Sequence, residues 1–187
     1  MNRLVGEKVS IVTSARLTTR GPVRAVRSTP DTQIVWIDTP ALHRPRHRLG
    51  ERMVRQTERA VRDADVVVVV AEAGSGLTPA DRPALELAAA SGHPAVLVLN
   101  KCDRAPRDAW EAVVRNSAAA SGLAEVRCVS ASTGAGADGV TQAVAARLPE
   151  GSEFFPPGVV TDLPEPVRIA ELVREQAVLL TRQEVPH

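Results

Sequence analysis

Asn100, Lys101 and Asp103 carry the most specific chemistry in the chain, in the run Asn-Lys-Cys-Asp. A carboxylate offers two fixed acceptors, an amide offers a donor and an acceptor, and a lysine stem can lie along a flat ring. Two acceptors facing the N1–H and 2-amino group of guanine make charge-assisted bonds that adenine, lacking that donor pair, cannot repeat. The pattern therefore reads a guanine base. Three other short stretches offer related chemistry. Thr18-Thr19-Arg20 supplies hydroxyls of the hard-oxygen kind that complete an Mg²⁺ shell. Asp38-Thr39-Pro40-Ala41 offers a carboxylate able to hold Mg²⁺ through water, with the Ala41 N–H turned to a terminal phosphate. Ser130-Ala131-Ser132 brings the Ala131 N–H toward a base carbonyl. Thr-Thr and Ser-Ala pairs are common and Asp-Thr-Pro is moderately specific alone; the order and spacing of all four is the signal.

Such residues need elements that hold them in place. Ala95 to Leu99 is an apolar run of five, bounded by His93-Pro94 and too short for a helix. It reads as a strand buried on both faces of a parallel sheet, and open α/β sheets bind ligands beyond the carboxyl ends of their strands. Val23 to Val26 and Gln33 to Ile37 predict a hairpin joined at Ser28-Thr29-Pro30-Asp31. Val66 to Ala71 and Glu125 to Val129 predict two more strands. Helices are expected over residues 1–7, stopped near Gly6, and over 49–63, 107–121 and 139–148. Another is expected from Thr78 as N-cap, with Pro79 first and Asp81 third, to about Ala90, stopped by Gly92. Alternating strands and helices mean a parallel sheet flanked by helices. Pro149, Pro156, Pro157, Pro164 and Pro166 mark a stiff connector. Beyond it Val167, Ala170, Leu172, Val173, Ala177 and Leu180 line one helix face. The expected division is a domain over 1–148, a Pro-rich linker over 149–166 and a C-terminal helix over 167–187.

At 187 residues and 44% hydrophobic, the chain can bury one real core. A net charge of +1 gives no global field to recruit nucleic acid or a membrane surface. Aromatics are 2% of the chain and tyrosine is absent, so Val, Leu, Ala and Ile must fill the core. Cys102 and Cys128 lack metal-type spacing and are expected to be reduced thiols of a cytosolic protein. No run near Met1 is apolar enough for a signal peptide or membrane span. His43, His47, Arg44, Arg46 and Arg48 read as a solvated basic loop, and Trp36 and Trp110 as packing residues. Glu171, Arg174 and Glu175 read as the solvated face of the last helix.

Taken together, the motifs resemble the GTPase domain of the Era family, in the TrmE–Era–EngA group of bacterial translational GTPases. The resemblance runs from Met1 to His187. It includes Asn2-Arg3-Leu4-Val5-Gly6-Glu7-Lys8-Val9-Ser10-Ile11-Val12, the four stretches above, Phe155-Pro156-Pro157-Gly158 with Thr161-Asp162, and Ile169 to Glu175. It implies an α/β, P-loop-NTPase-like (Ras-like) G domain with a mostly parallel sheet flanked by helices. It implies GTP/GDP contacts from Asp38, Thr39, Pro40, Ala41, Asn100, Lys101, Asp103, Ser130, Ala131 and Ser132. Thr18 and Thr19 would belong to switch I and, with Asp38, to the Mg²⁺ site. Leu42 stands where other GTPases place a water-orienting glutamine, so no catalytic residue is assigned and hydrolysis is expected to be slow until a partner or ion helps. The implied partners are the small (30S) ribosomal subunit and its 16S rRNA. The implied location is cytoplasmic, with peripheral attachment at the inner face of the cell membrane left open.

Three departures qualify the resemblance. The 187 residues contain no G-x-x-x-x-G-K-[ST], so the family's first strand and phosphate loop, expected just before Asn2, are missing. Ala41 replaces the expected glycine. No G-x-x-G loop with a basic flank represents the family's RNA-binding KH domain. The expectation is a start at an internal methionine of a longer frame, or a decayed gene, and a chain that by itself does not hydrolyse GTP. The missing strand would lie between Gln33–Ile37 and Val66–Ala71, whose apolar edges must then close on each other or leave the fragment marginally stable. A pseudo-GTPase interaction module without phosphate binding is the alternative; an unrelated doubly wound α/β protein fits the paired Asn-Lys-x-Asp and Ser-Ala turns less well.

Overall fold

The computed structural model describes residues 1–12, 22–42, 48–108, 110–112, 114 and 123–181. It divides into two compact units, Met1–Ala60 with Ser152–His187, and Val61–Gly151.

The second unit is built on a three-stranded parallel sheet. β3 (Val67–Glu72), β4 (Ala95–Asn100) and β5 (Glu125–Cys128) lie in that order. β4 takes the centre because all five of its apolar residues are buried. Leu97 and Leu99 share one face with Val67, Val69, Ala71 and with Ala88 of helix α3 (Arg82–Ser91). Val96 and Val98 turn the other way, as strand alternation requires, and helix α4 (Ala137–Ala145) contacts β4 and buries Val140, Ala143 and Val144. The register Glu72↔Asn100 and Leu99↔Cys128 brings three strand ends level. This is the parallel α/β arrangement expected from the sequence.

One boundary in this unit differs from expectation. α3 begins at Arg82, not at Thr78. Residues 78–81 close a turn of their own: the Thr78 N–H and hydroxyl both donate to Asp81 Oδ2 at 2.7 Å, and the Asp81 N–H returns to the Thr78 carbonyl at 3.0 Å. Pro83 explains the shift, because a helix started at Pro79 would leave Pro83 in its interior without an N–H to donate. At a later start Pro83 falls in the first turn, where it is tolerated. The helix expected over 107–121 lies largely outside the described residues; those described between 107 and 114 are helical.

The first unit contains the short helix α1 (Asn2–Val5), closed by left-handed Gly6, and the antiparallel hairpin of β1 (Val23–Ser28) and β2 (Gln33–Asp38). Helix α2 (Arg48–Arg62) starts here and ends two residues into the second unit. The Pro-rich stretch lies along the hairpin. The Val26 N–H donates to Val160 O at 2.9 Å, Thr161 Oγ1 donates to Arg24 O at 2.7 Å, and Gln33 Oε1 accepts the N–H groups of Phe154 and Phe155.

Helix α5 (Glu165–Thr181) reverses the expected orientation. Its buried residues are Glu175 and Val178, while Leu172, Val173 and Leu180 are exposed, Leu180 at 81%. The supposedly solvated acid decides this. Glu175 is 2% exposed, pairs with Lys8 and accepts the Val12 N–H at 2.8 Å, and Arg174 packs beside it against Glu171 at 2.6 Å. A buried charge supplied with two donors fixes the helix face more firmly than a few exposed aliphatics could. Among the described residues β2 and β3 lie in separate sheets. No described helix is long and apolar enough to cross a membrane.

Candidate functional site

In the second unit the chain must leave the end of β4 abruptly, and it does so through Lys101. Its φ of 63° makes it the one described non-glycine residue in the left-handed region. That conformation costs about 1–2 kcal/mol, and strain of this kind persists only where surrounding bonds over-determine it. They do here. Asn100 Oδ1 accepts the Lys101 N–H at 2.8 Å and the Ala131 N–H at 3.0 Å, so one amide oxygen ties the two turns together. Lys101 Nζ reaches back to Glu72 at the end of β3, at 2.8 Å. The Cys102 N–H donates to Val129 O at 3.1 Å, and Cys102–Arg104 forms a single 3-10 turn.

Asp103 projects from that turn. The Ser130 hydroxyl is the main cause holding its carboxyl below the usual carboxylate range, with Ser132 and Arg104 adding and burial opposing. Ser132 Oγ donates to Asp103 Oδ2 at 3.3 Å and shares a 2.9 Å bond with Ser130 Oγ. Ser130 is buried, and its loop closes on itself through Ser130 N–H to Ala135 O at 2.9 Å and Gly134 N–H to Ser130 O at 2.8 Å. Gly136 completes the loop at φ +80°, with a Cβ there only 2.2 Å from the Cys128 carbonyl oxygen. Only glycine fits. The second unit thus brings Asn100, Lys101, Asp103, Ser130, Ala131 and Ser132 to one cluster at the strand ends. The Ala131 N–H expected to face a base carbonyl donates to Asn100 Oδ1 here, at 3.0 Å.

The first unit holds the other predicted residues. Asp38 ends β2 opposite Val23. Burial, the largest cause, pushes its carboxyl above the usual range, while the Met1 amino group and a bond from Ser10 oppose the shift. It borders a cavity of about 210 Å³ shared with Ser10, Val23, Leu163, Glu171 and Arg174. The segment carrying Ser10 is pinned on both sides. Asn2 Oδ1 accepts the N–H groups of Val9 and Ser10 at 3.0 and 2.8 Å, and Glu175 holds Lys8 and Val12. Thr39 is half-buried and Pro40 fully buried, with Thr57 of α2 donating to the Pro40 carbonyl at 3.0 Å; Ala41 is exposed and Leu42 half-buried. Thr18 and Thr19 lie outside the described residues, as do Arg44, Arg46, His43 and His47.

The desolvated oxygens of Asp38 are of the hard kind that suits Mg²⁺, and an added cation would offset the burial that raises this carboxyl. Among the described residues no group of three or more His, Cys, Asp or Glu could form a complete metal site. Sequence reasoning missed Glu72, Gly136, Thr57 and Glu175. The glycine alone left a trace, as one of the small residues after Ser132.

A family profile described as "50S ribosome-binding GTPase" matches residues 1–101. GTPase Era of Synechocystis sp. is 40% identical over all of this chain and 60% of its own length. Era in complex with MgGDPNP and nucleotides 1506–1542 of 16S ribosomal RNA matches with a TM-score of 0.92 at 34% identity, over 99% of this chain and 63% of that one. A single-residue variant of Aquifex aeolicus Era bound to GDP.AlF4- gives the same TM-score and identity over 99% and 64%. The chain therefore spans about three-fifths of the length of the proteins it matches. With more than half of its residues inside the family profile and its fold superimposing on Era, this chain belongs to the 50S ribosome-binding GTPase family.

Proposed function

We propose that these 187 residues read the guanine of a guanine nucleotide, as part of an Era-type GTPase that acts in 30S subunit assembly through 16S rRNA in the cytoplasm. The observation that carries the reading is the preassembled cluster of Asn100, Asp103 and Ala131, with Asp103 ionised and held by Ser130. Two carboxylate acceptors select guanine over adenine, and the Lys101 stem supports the ring. The Era complex that holds both MgGDPNP and 16S rRNA nucleotides supports the family role. The proposal keeps a G domain over 1–148, a connector over 149–166 and a terminal helix over 167–187.

Mg²⁺, when bound, supplies positive charge that neutralises the phosphates; Asp38 would hold it through water, with Thr18 or Thr19 of switch I. Within the 187 residues no G-x-x-x-x-G-K-[ST] cradles phosphate, and Ala41 puts a Cβ where close approach is wanted. The base is then the main anchor this stretch offers. The same observation favours, as second reading, an interaction module that reads the base and ignores the phosphates. A displacement assay tests the base reading. GTP should compete and ATP should not, while Asp103→Asn should weaken guanine and favour xanthine by exchanging an acceptor for a donor. Equal competition by ATP and GTP would overturn it.

A further inference from the structure

Beneath the base-reading turn lie two thiols that this reading does not use. The register Leu99↔Cys128 sets Cys128 beside the end of β4, and the Val129 N–H to Leu99 O bond of 2.8 Å holds the two strand ends together. The chain then doubles back, and the Cys102 N–H bonds Val129 O at 3.1 Å. Cys102 therefore returns over the residue that follows Cys128. Its own thiol donates at 3.1 Å to the carbonyl of Leu99, the residue that Cys128 faces in the sheet register. Both are free and half-buried, and both pack against the same apolar cluster.

We propose that Cys102 and Cys128 form a reversible disulfide, with a small oxidised disulfide such as oxidised glutathione as co-reactant, and that it displaces the turn carrying Asp103. The Cys102 thiolate attacks the small disulfide, forms a mixed disulfide and releases one small thiol. The Cys128 sulfur then attacks Cys102, releases the second small thiol and closes the bond. Two protein thiols lose two electrons and two protons, and one small disulfide becomes two thiols. Burial, the main cause, pushes the Cys128 thiol up to about 12, with Cys102 beside it adding to the shift. Cys128 is thus the resolving partner and Cys102, on the turn, is the first to react.

Closing the bond brings the sulfurs to about 2.05 Å. It takes the Cys102 thiol off Leu99 O and draws the turn toward β5. Asp103 follows directly in sequence and moves relative to Ser130 and Ser132, its present partners. The consequence for guanine rests on the proposed function; the bond itself does not.

The test treats the chain with oxidised glutathione under native conditions and reads intact mass, free thiols and backbone amide resonances. The wild type should lose both thiols and two hydrogens without keeping an adduct. Cys128→Ser should retain one glutathione on Cys102, and Cys102→Ser should react slowly or not at all. Amide shifts should concentrate at 100–103 and 130–132 and reverse with dithiothreitol. A wild type that keeps both thiols, or that accumulates the mixed disulfide, overturns the bond. A bond that forms with those amides unmoved overturns the displacement. Failure of the reduced chain to bind guanosine would count against the proposed function alone, because mass, thiol and amide readings need no nucleotide.

Discussion

The two units treat their polar groups in opposite ways. In the second unit the residues expected to touch a ligand satisfy one another: Asn100 serves Lys101 and Ala131, Lys101 serves Glu72, and Asp103 is served by Ser130 and Ser132. In the first unit Asp38 is desolvated beside a cavity, and the buried Trp36 Nε1 and Gln56 Oε1 atoms have no hydrogen-bond partner among the described residues. Each such atom costs about 1–3 kcal/mol. A site that reads a rigid base gains from being assembled beforehand, because ordering costs are met in folding and not in binding. A desolvated carboxylate such as Asp38 behaves differently, since its burial is relieved when positive charge arrives. The lesson is that preassembly and poise can be assigned to different parts of one chain.

The heaviest blow to the preassembled half is Gly136→Ala. A Cβ would meet the Cys128 carbonyl at 2.2 Å on a backbone with φ +80°. Overpacking and left-handed strain together predict a loss of about 2–5 kcal/mol in denaturant unfolding. A loss under about 0.5 kcal/mol would mean that the Ser130 loop adapts freely and is not preassembled.

Next in size is Glu175→Gln in the first unit. The Glu175 carboxyl sits below its ordinary value of 4.5: burial is the largest influence and opposes this, but Lys8 and the Val12 N–H outweigh it. A depressed folded value means stability that is complete above the ordinary value and lost as pH falls through the folded one. Glu175→Gln should therefore cost about 1–2 kcal/mol at pH 7, since Lys8 is half-exposed and screened. It should also flatten the acid limb of the stability curve below pH 4.5. An acid limb unchanged by the substitution would remove Glu175 as the clasp on residues 8–12.

The smallest effect sharpens the contrast most. Trp36→Phe deletes an indole N–H that has no partner among the described residues. Where a satisfied tryptophan would lose a bond, this one should change stability by less than about 1 kcal/mol, in either direction. A loss above about 3 kcal/mol in thermal unfolding would show that Trp36 Nε1 is bonded in solution.

The sequence makes the second unit legible because its signals are local. Ala95 to Leu99 is a pure apolar run closed by Asn-Lys, and strand and burial follow from reading it once. Glu175 is illegible for the opposite reason. Nothing within its helix says that a glutamate, usually exposed, will meet Lys8 and Val12 from the other end of the chain. The apolar residues of α5 pointed to the wrong face for the same reason. The start of α3 was misplaced by competition between two prolines, Pro79 and Pro83, each a plausible first-turn residue. Gly136 is needed only because the Cys128 carbonyl passes close by, which no spacing rule encodes.

Calorimetry on the 187-residue chain, with guanosine, GDP and ATP each titrated in Mg²⁺, tests the central claim most directly. Three or four hydrogen bonds to the base, at about 0.5–3 kcal/mol each, less the several kcal/mol that association costs, predict a dissociation constant no tighter than about 0.1–1 mM. Guanosine and GDP should agree within about threefold, corresponding to less than about 0.7 kcal/mol. ATP should give no binding heat. A micromolar constant for GDP would mean that other groups in this chain hold the phosphates, and ATP binding as well as GDP would mean that Asp103 does not read guanine.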